Sequence, residues 1–281
     1  MFVSKLKLLP SSLRWIELSN ITPSGTAYQI AGDGNRNIVL IHGLGLNMHS
    51  WQWQIPVLSQ KYRIVTYDLF GHGSSCDPPK APSLKLFADQ LVDLLDHLNI
   101  KNTSVFGFSL GGMIARRFTM DYSNRVDLLG ILHSAHQRNQ VAQNEIQSRV
   151  LQVRQDGPAA TVEAALKRWF TDDFRNSQPQ LLDLIRQWIL ANRKDVYAQI
   201  YQVLVDGVTE LIEPKPPIVK STLVMTGEDD YGNSPEMSRA IAAEIKGAEL
   251  IILPKLRHMA IVEASDLCNN KICDFLDRTH S

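Results

Sequence analysis

Short apolar runs and amphipathic stretches alternate along most of the chain. NIVLIHG (37–43) and RIVTYDL (63–69) are compact apolar runs of the kind that fills a strand buried on both faces. TSVFGF (103–108), VDLLGILHS (126–134), STLVMTG (221–227) and AELIILP (248–254) repeat that pattern. RWIELSN (14–20) and GTAYQIAG (25–32) alternate instead, across a Pro/Ser/Gly turn, and predict a hairpin. Between the runs, 83–100 sets Leu84, Phe87, Leu91, Leu94, Leu95 and Leu98 at three- and four-residue steps. That spacing is one face of a helix, and Ser83 is placed to cap it. Stretches 109–122, 235–247 and 264–276 also read as helices. Strands alternating with helices predict an α/β architecture: a mostly parallel sheet covered by helices on both faces.

Residues 137–215 break the rhythm. They read as consecutive helices with little strand signal, rich in Gln, Arg and Leu, and EPKPP (213–217) closes them. The expected division is a core over 1–136, a helical cap over 137–215 inserted after the sixth strand, and the rest of the core over 216–281. Trp169, Phe170, Trp188 and Tyr201 are candidates to line a substrate pocket beneath that cap. Aromatics at helical spacing also serve as core. Arg138 and Arg168 could pair with an anionic substrate group, although a solvated helix face explains them more simply.

Composition narrows the partners. Among 281 residues, 29 Lys+Arg balance 29 Asp+Glu, which argues against a nucleic-acid binder with its basic excess. Cys76, Cys268 and Cys273 fit no zinc-ligand spacing and read as reduced thiols. Lys5 and Lys7 interrupt the first apolar residues, so no secretory leader is expected. No apolar stretch is long enough to span a bilayer. A soluble, cytoplasmic protein acting on a small molecule is the expectation, with no membrane partner. Its oligomeric state is left open.

The chemistry begins at Gly107-Phe108-Ser109-Leu110-Gly111, a G-x-S-x-G pattern between an apolar strand and an amphipathic helix. A turn that sharp strains its central residue and crowds neighbouring backbones, which flanking glycines relieve. It lifts the Ser109 hydroxyl above the sheet edge, beside a helix N-terminus. A hydroxyl needs a base to become a nucleophile. His258, in the loop after strand 248–254, lies at the same edge as Ser109. The base in turn needs a carboxylate. Glu228, Asp229 and Asp230 all follow strand 221–227; Asp230 is favoured because the loop should turn back there, with Asp229 the other option. The loop after strand 126–134 offers no acid. Two backbone N–H groups should stabilise the oxyanion: Leu110 after the nucleophile, and Leu44 in His42-Gly43-Leu44-Gly45. His42 would order that loop through its ring nitrogens, and His72 its own turn.

Together HGLG (42–45), YDLFGHGSS (67–75), GFSLGG (107–112), GEDD (227–230) and RHMA (257–260) resemble the α/β-hydrolase family, over about 20–135 and 218–278. The resemblance implies an α/β-hydrolase fold, with Ser109 as nucleophile, Asp230 as acid and His258 as base. ALKRWFTDDFR (165–175) is similar to the cap of the 3-oxoadipate enol-lactonases, and 109–135 to the same enzymes and many esterases. His42-Gly43 stands where those lactonases often carry Asn-Ser, and 203–217 does not resemble the end of their cap. The implied activity is cleavage of a carboxylic ester or lactone through an acyl-enzyme, falling in acid as the imidazole base takes up a proton. No metal or organic cofactor is implied. The same residues could serve an acyltransferase, a thioesterase, a C–C hydrolase or a cofactor-free haloperoxidase, or a non-catalytic ligand-binding module.

Overall fold

The computed structural model describes residues 20–279. The proposed strand at 14–20 lies outside them except for its last residue, as does His280 in the tail. One sheet of eight strands organises the chain: β1 (Asn20–Ile21), β2 (Ala27–Ala31), β3 (Asn37–Ile41), β4 (Arg63–Tyr67), β5 (Thr103–Phe108), β6 (Val126–Leu132), β7 (Thr222–Gly227) and β8 (Glu249–Leu253). Their spatial order is β1-β2-β4-β3-β5-β6-β7-β8. The first two strands run antiparallel to their neighbours and the rest are parallel.

The apolar runs are strands because both faces of the sheet are covered. Along β3, Val39 and Ile41 join one hydrophobic cluster while Ile38 and Leu40 join the other, the two-residue period of a pleated strand. The first cluster is filled by α2 (Leu84–His97) and α3 (Leu110–Asp121), through residues such as Phe87, Leu91, Met113 and Phe118. The second takes Trp51, Phe106 and, from α11 (Ser265–Thr279), Phe275 and Leu276. Ser83 caps α2, its hydroxyl accepting the Leu86 N–H at 3.0 Å. A single turn, α1 (Ile55–Leu58), lies before β4, where the apolar pattern gives no helical signal.

After β6 the chain leaves the sheet for α4 (Gln140–Asp156), α5 (Val162–Trp169), α6 (Asp172–Ser177), α7 (Pro179–Leu190) and α8 (Lys194–Asp206), then returns at β7. α9 (Pro235–Glu244) precedes β8, and α10 (Ala260–Glu263) follows it. Where the strand order reverses, between β4-β3 and β5, the loops leaving β3 and β5 diverge and open a crevice at the carboxyl edge. Leu44, Ser109, Leu110, Asp230 and His258 all follow strand ends on that edge.

Candidate active site

Ser109 follows β5 directly and has φ 56° and ψ −115°. A non-glycine residue there costs about 1–3 kcal/mol and persists only where its surroundings fix it. The Ser109 N–H donates to the Leu132 carbonyl at 2.8 Å, and its carbonyl accepts from Ser134 Oγ at 2.9 Å. Those bonds tie the turn to the neighbouring strand. The flanking glycines are required by crowding: a Cβ on Gly107 would lie 2.0 Å from the Gly111 carbonyl oxygen, and one on Gly111 2.2 Å from that of Ile41. The serine side chain caps no helical N–H, so its hydroxyl is left for other work.

His258 and Asp230 are brought together. His258 Nδ1 lies 2.7 Å from Asp230 Oδ2, with both side chains buried. Asp230 Oδ1 accepts the Gly232 and Asn233 N–H groups at 3.1 and 3.0 Å, which fixes the carboxylate plane. Burial by itself would push this carboxyl up, but the charge of His258 and hydrogen bonds from His133 and His258 hold it well below the usual carboxylate range. It therefore stays ionised wherever an imidazole titrates. An ionised carboxylate only accepts, so His258 donates through Nδ1 and keeps the Nε2 lone pair. Ser109, Asp230 and His258 line one cavity. Among the described residues no hydrogen bond joins the Ser109 hydroxyl to His258. Asp229, the other acid considered, lines a separate outer groove.

The loop after β3 is ordered by two histidines. His42 Nδ1 donates to the Gly43 carbonyl at 2.8 Å and Nε2 accepts from the Leu69 N–H at 3.0 Å. His72 reaches further than its own turn: its Nε2 accepts the Gly45 N–H at 3.0 Å. Burial lowers both rings, His72 to about 4, so both are neutral and can accept. Leu44, between the two glycines, lines the cavity, and Leu110 opens α3, where the first N–H groups have no partner within the helix.

The four aromatics separate. Trp169 and Tyr201 line the cavity. Phe170 does not: it is fully buried and stacks on Phe174, ring centroids 5.0 Å apart. Trp188 packs against the second hydrophobic cluster instead. Trp169 also meets His258, the ring centroids 5.8 Å apart, and its carbonyl accepts the Met259 N–H at 2.9 Å. On the far side, Asn192 Nδ2 donates to the Gly45 carbonyl at 3.1 Å. The helices after β6 are thus fastened to both loops that flank the serine.

One group escaped the reading of the sequence. His133, just past β6, is fully buried at φ 50°, and its Nδ1 lies 3.1 Å from Asp230 Oδ2, the oxygen that also holds His258. Burial lowers its ring, so it is neutral, donating through Nδ1 and leaving a buried Nε2 without a partner. The signal was its position: a histidine in ILHS at the carboxyl end of a parallel strand, on the edge that carries the other groups. His133, Asp230 and His258 bring three ligand-type atoms within 4.8 Å of one another. The two donated N–H groups already balance the carboxylate, so the cluster is explained without a cation.

Residues 38–270 match the model of the Alpha/beta hydrolase family. The (E)-2-((N-methylformamido)methylene)succinate hydrolase of Acinetobacter baylyi is 24% identical over 94% of this chain and 98% of its own. The enol-lactonase of Burkholderia xenovorans superposes with a TM-score of 0.83 at 27% identity, covering 90% of this chain and 96% of that one. A thermophilic esterase from Thermogutta terrifontis gives 0.82 at 25%, covering 94% and 97%. No helix among the described residues is long and apolar enough to cross a membrane. A match of that extent, on a sheet whose sharpest strand-to-helix turn presents a strained serine, makes this chain a member of the α/β-hydrolase family.

Proposed function

We propose that the protein is a serine hydrolase that cleaves a carboxylic ester or lactone of a small molecule through an acyl-enzyme. The observation that carries this reading is the 2.7 Å contact between His258 Nδ1 and an ionised Asp230, on the wall of the cavity that Ser109 also lines. Asp230 fixes the tautomer, so His258 Nε2 is the lone pair available to take the serine proton. Ser109 Oγ attacks the carbonyl carbon, and the oxyanion is held by the N–H groups of Leu110 and Leu44. His258 returns the proton to the leaving oxygen. Water, deprotonated in the same way, then releases the acid and restores the hydroxyl.

His133 is a positioning residue in this scheme. Its hydrogen bond occupies a second lone pair of the oxygen that orients His258 and draws charge from it. Residues 137–215 act as a cap that covers the carbonyl site, with Trp169 and Tyr201 on the side of the substrate. The enol-lactonase and esterase likenesses favour the ester or lactone bond over the other acyl chemistries open to a serine. The test is a rate survey of pure protein across short-chain esters, aryl esters and lactones, with product analysis. Hydrolysis with a burst of alcohol equal to the enzyme concentration is expected. Absence of turnover on every member, or transfer to an added alcohol to the exclusion of water, overturns the reading.

A further inference from the structure

The cavity that Ser109 lines is rich in cationic side chains. Arg138, before α4, Arg149 on α4 and Arg168 on α5 all line it, and the only acid among the lining residues is Asp230. Asp230 is already committed to two imidazoles and two backbone N–H groups. None of the three arginines forms an ion pair with a described residue, whereas Arg116, Arg117, Arg125 and Arg186 all meet carboxylates. Arg138 and Arg168 each hold one carbonyl, of Leu204 at 3.3 Å and Ala164 at 2.9 Å. The Nε of Arg149 is buried without a partner among the described residues. Glu145, exposed on α4, acts on Arg168 through its charge and forms no ion pair with it among the described residues.

Sheltering three guanidinium groups around one cavity is unfavourable. Burial lowers Arg138 to about 10 and lowers Arg168 as well, and the charge of Arg149 adds to both. Half-buried cations grouped in this way gain from any negative charge that a ligand brings to them. Guanidinium forks suit carboxylates and phosphates, which they bind in paired hydrogen bonds.

Resting on the hydrolase reading above, we propose that the substrate carries at least two negative charges, as carboxylates or a phosphate, held by Arg138, Arg149 and Arg168 while its ester or lactone carbonyl meets Ser109. Hydrolysis adds water across the C–O bond, giving one further carboxylate, an alcohol and a released proton. The neutral cavity wall of Trp169, Val162 and Ile146 then packs the carbon chain between the charged end and the carbonyl.

Four 4-nitrophenyl esters test this: butyrate (neutral), glutarate (one free carboxylate), tricarballylate (two free carboxylates) and a phosphonate-ended acyl chain. Charge-assisted hydrogen bonds make kcat/KM rise about tenfold or more from butyrate to the dianionic esters, mainly through KM. The better of the tricarballylate and phosphonate arms identifies the anion. Arg149→Gln and Arg168→Gln should each cut the ratio of dianionic to butyrate kcat/KM by about tenfold, and added salt should shrink it in the wild type. Equal kcat/KM on all four esters, or a ratio unmoved by both substitutions, overturns the inference while the hydrolase reading stands. Failure to hydrolyse any of the four, butyrate included, overturns both.

Discussion

Ser109→Ala lowers kcat for ester hydrolysis by about 10⁴- to 10⁶-fold, the loss expected when the nucleophile of a cooperating triad is removed. Binding and the oxyanion N–H groups leave a residue of activity above water. The fold should survive, because the hydroxyl caps no helix and alanine adds no atom to the crowded turn. Melting temperature and circular dichroism of the variant, measured beside its kcat, separate lost chemistry from lost structure. A variant within tenfold of wild type would mean that the serine is a helix-start residue and nothing more.

Glu244→Leu is expected to destabilise the protein by about 3 kcal/mol, because it strands a buried cation. Arg116, on α3, has a side chain only 1% exposed, and among the described residues it pairs with Glu244 at 3.2 Å. Burial pulls this guanidinium down to about 10, with the Glu244 charge opposing it. The arginine also donates to the carbonyls of Ala135 and Leu211, the latter at 2.7 Å, while Glu244 receives His136 Nε2 and the Glu213 N–H, each at 3.0 Å. Those residues are where the chain leaves the core for α4 and where it comes back after α8. One network therefore ties both crossings of the chain, at 135–136 and 211–213, to the helix that starts at the serine. In urea unfolding, Arg116→Met combined with Glu244→Leu should cost less than the sum of the two single changes. Strict additivity would show that the pair is not coupled.

β3 to β7 were legible as short apolar runs, which burial on both faces of the sheet explains, whereas β2 alternates and most of β8 is only half-buried. Ser109 was legible because crowding at its turn requires particular residues at fixed offsets. Asp230 and His258 followed from chain order and from the rule that loops after parallel strands share an edge. His133 was not legible in that way. Its partner is 97 residues distant, and a search for an acid after β6 passes over a donor. Phe170 and Trp169 are adjacent, but the chain turns away at the end of α5, so one enters the core and its neighbour the cavity. No periodicity decides that at a helix end. Arg138 and Arg168, read most simply as a solvated face, are half-buried and line the cavity, which helical periodicity alone does not reveal.

That Ser109 is an activated nucleophile is tested by covalent labelling, which needs no knowledge of the substrate. Native protein treated with a fluorophosphonate should gain one adduct, mapped by mass spectrometry to the peptide bearing Ser109. His258→Ala should slow that reaction by at least about a hundredfold, since general-base assistance contributes on that scale. No adduct at Ser109, or labelling at the same rate with and without His258, would contradict it.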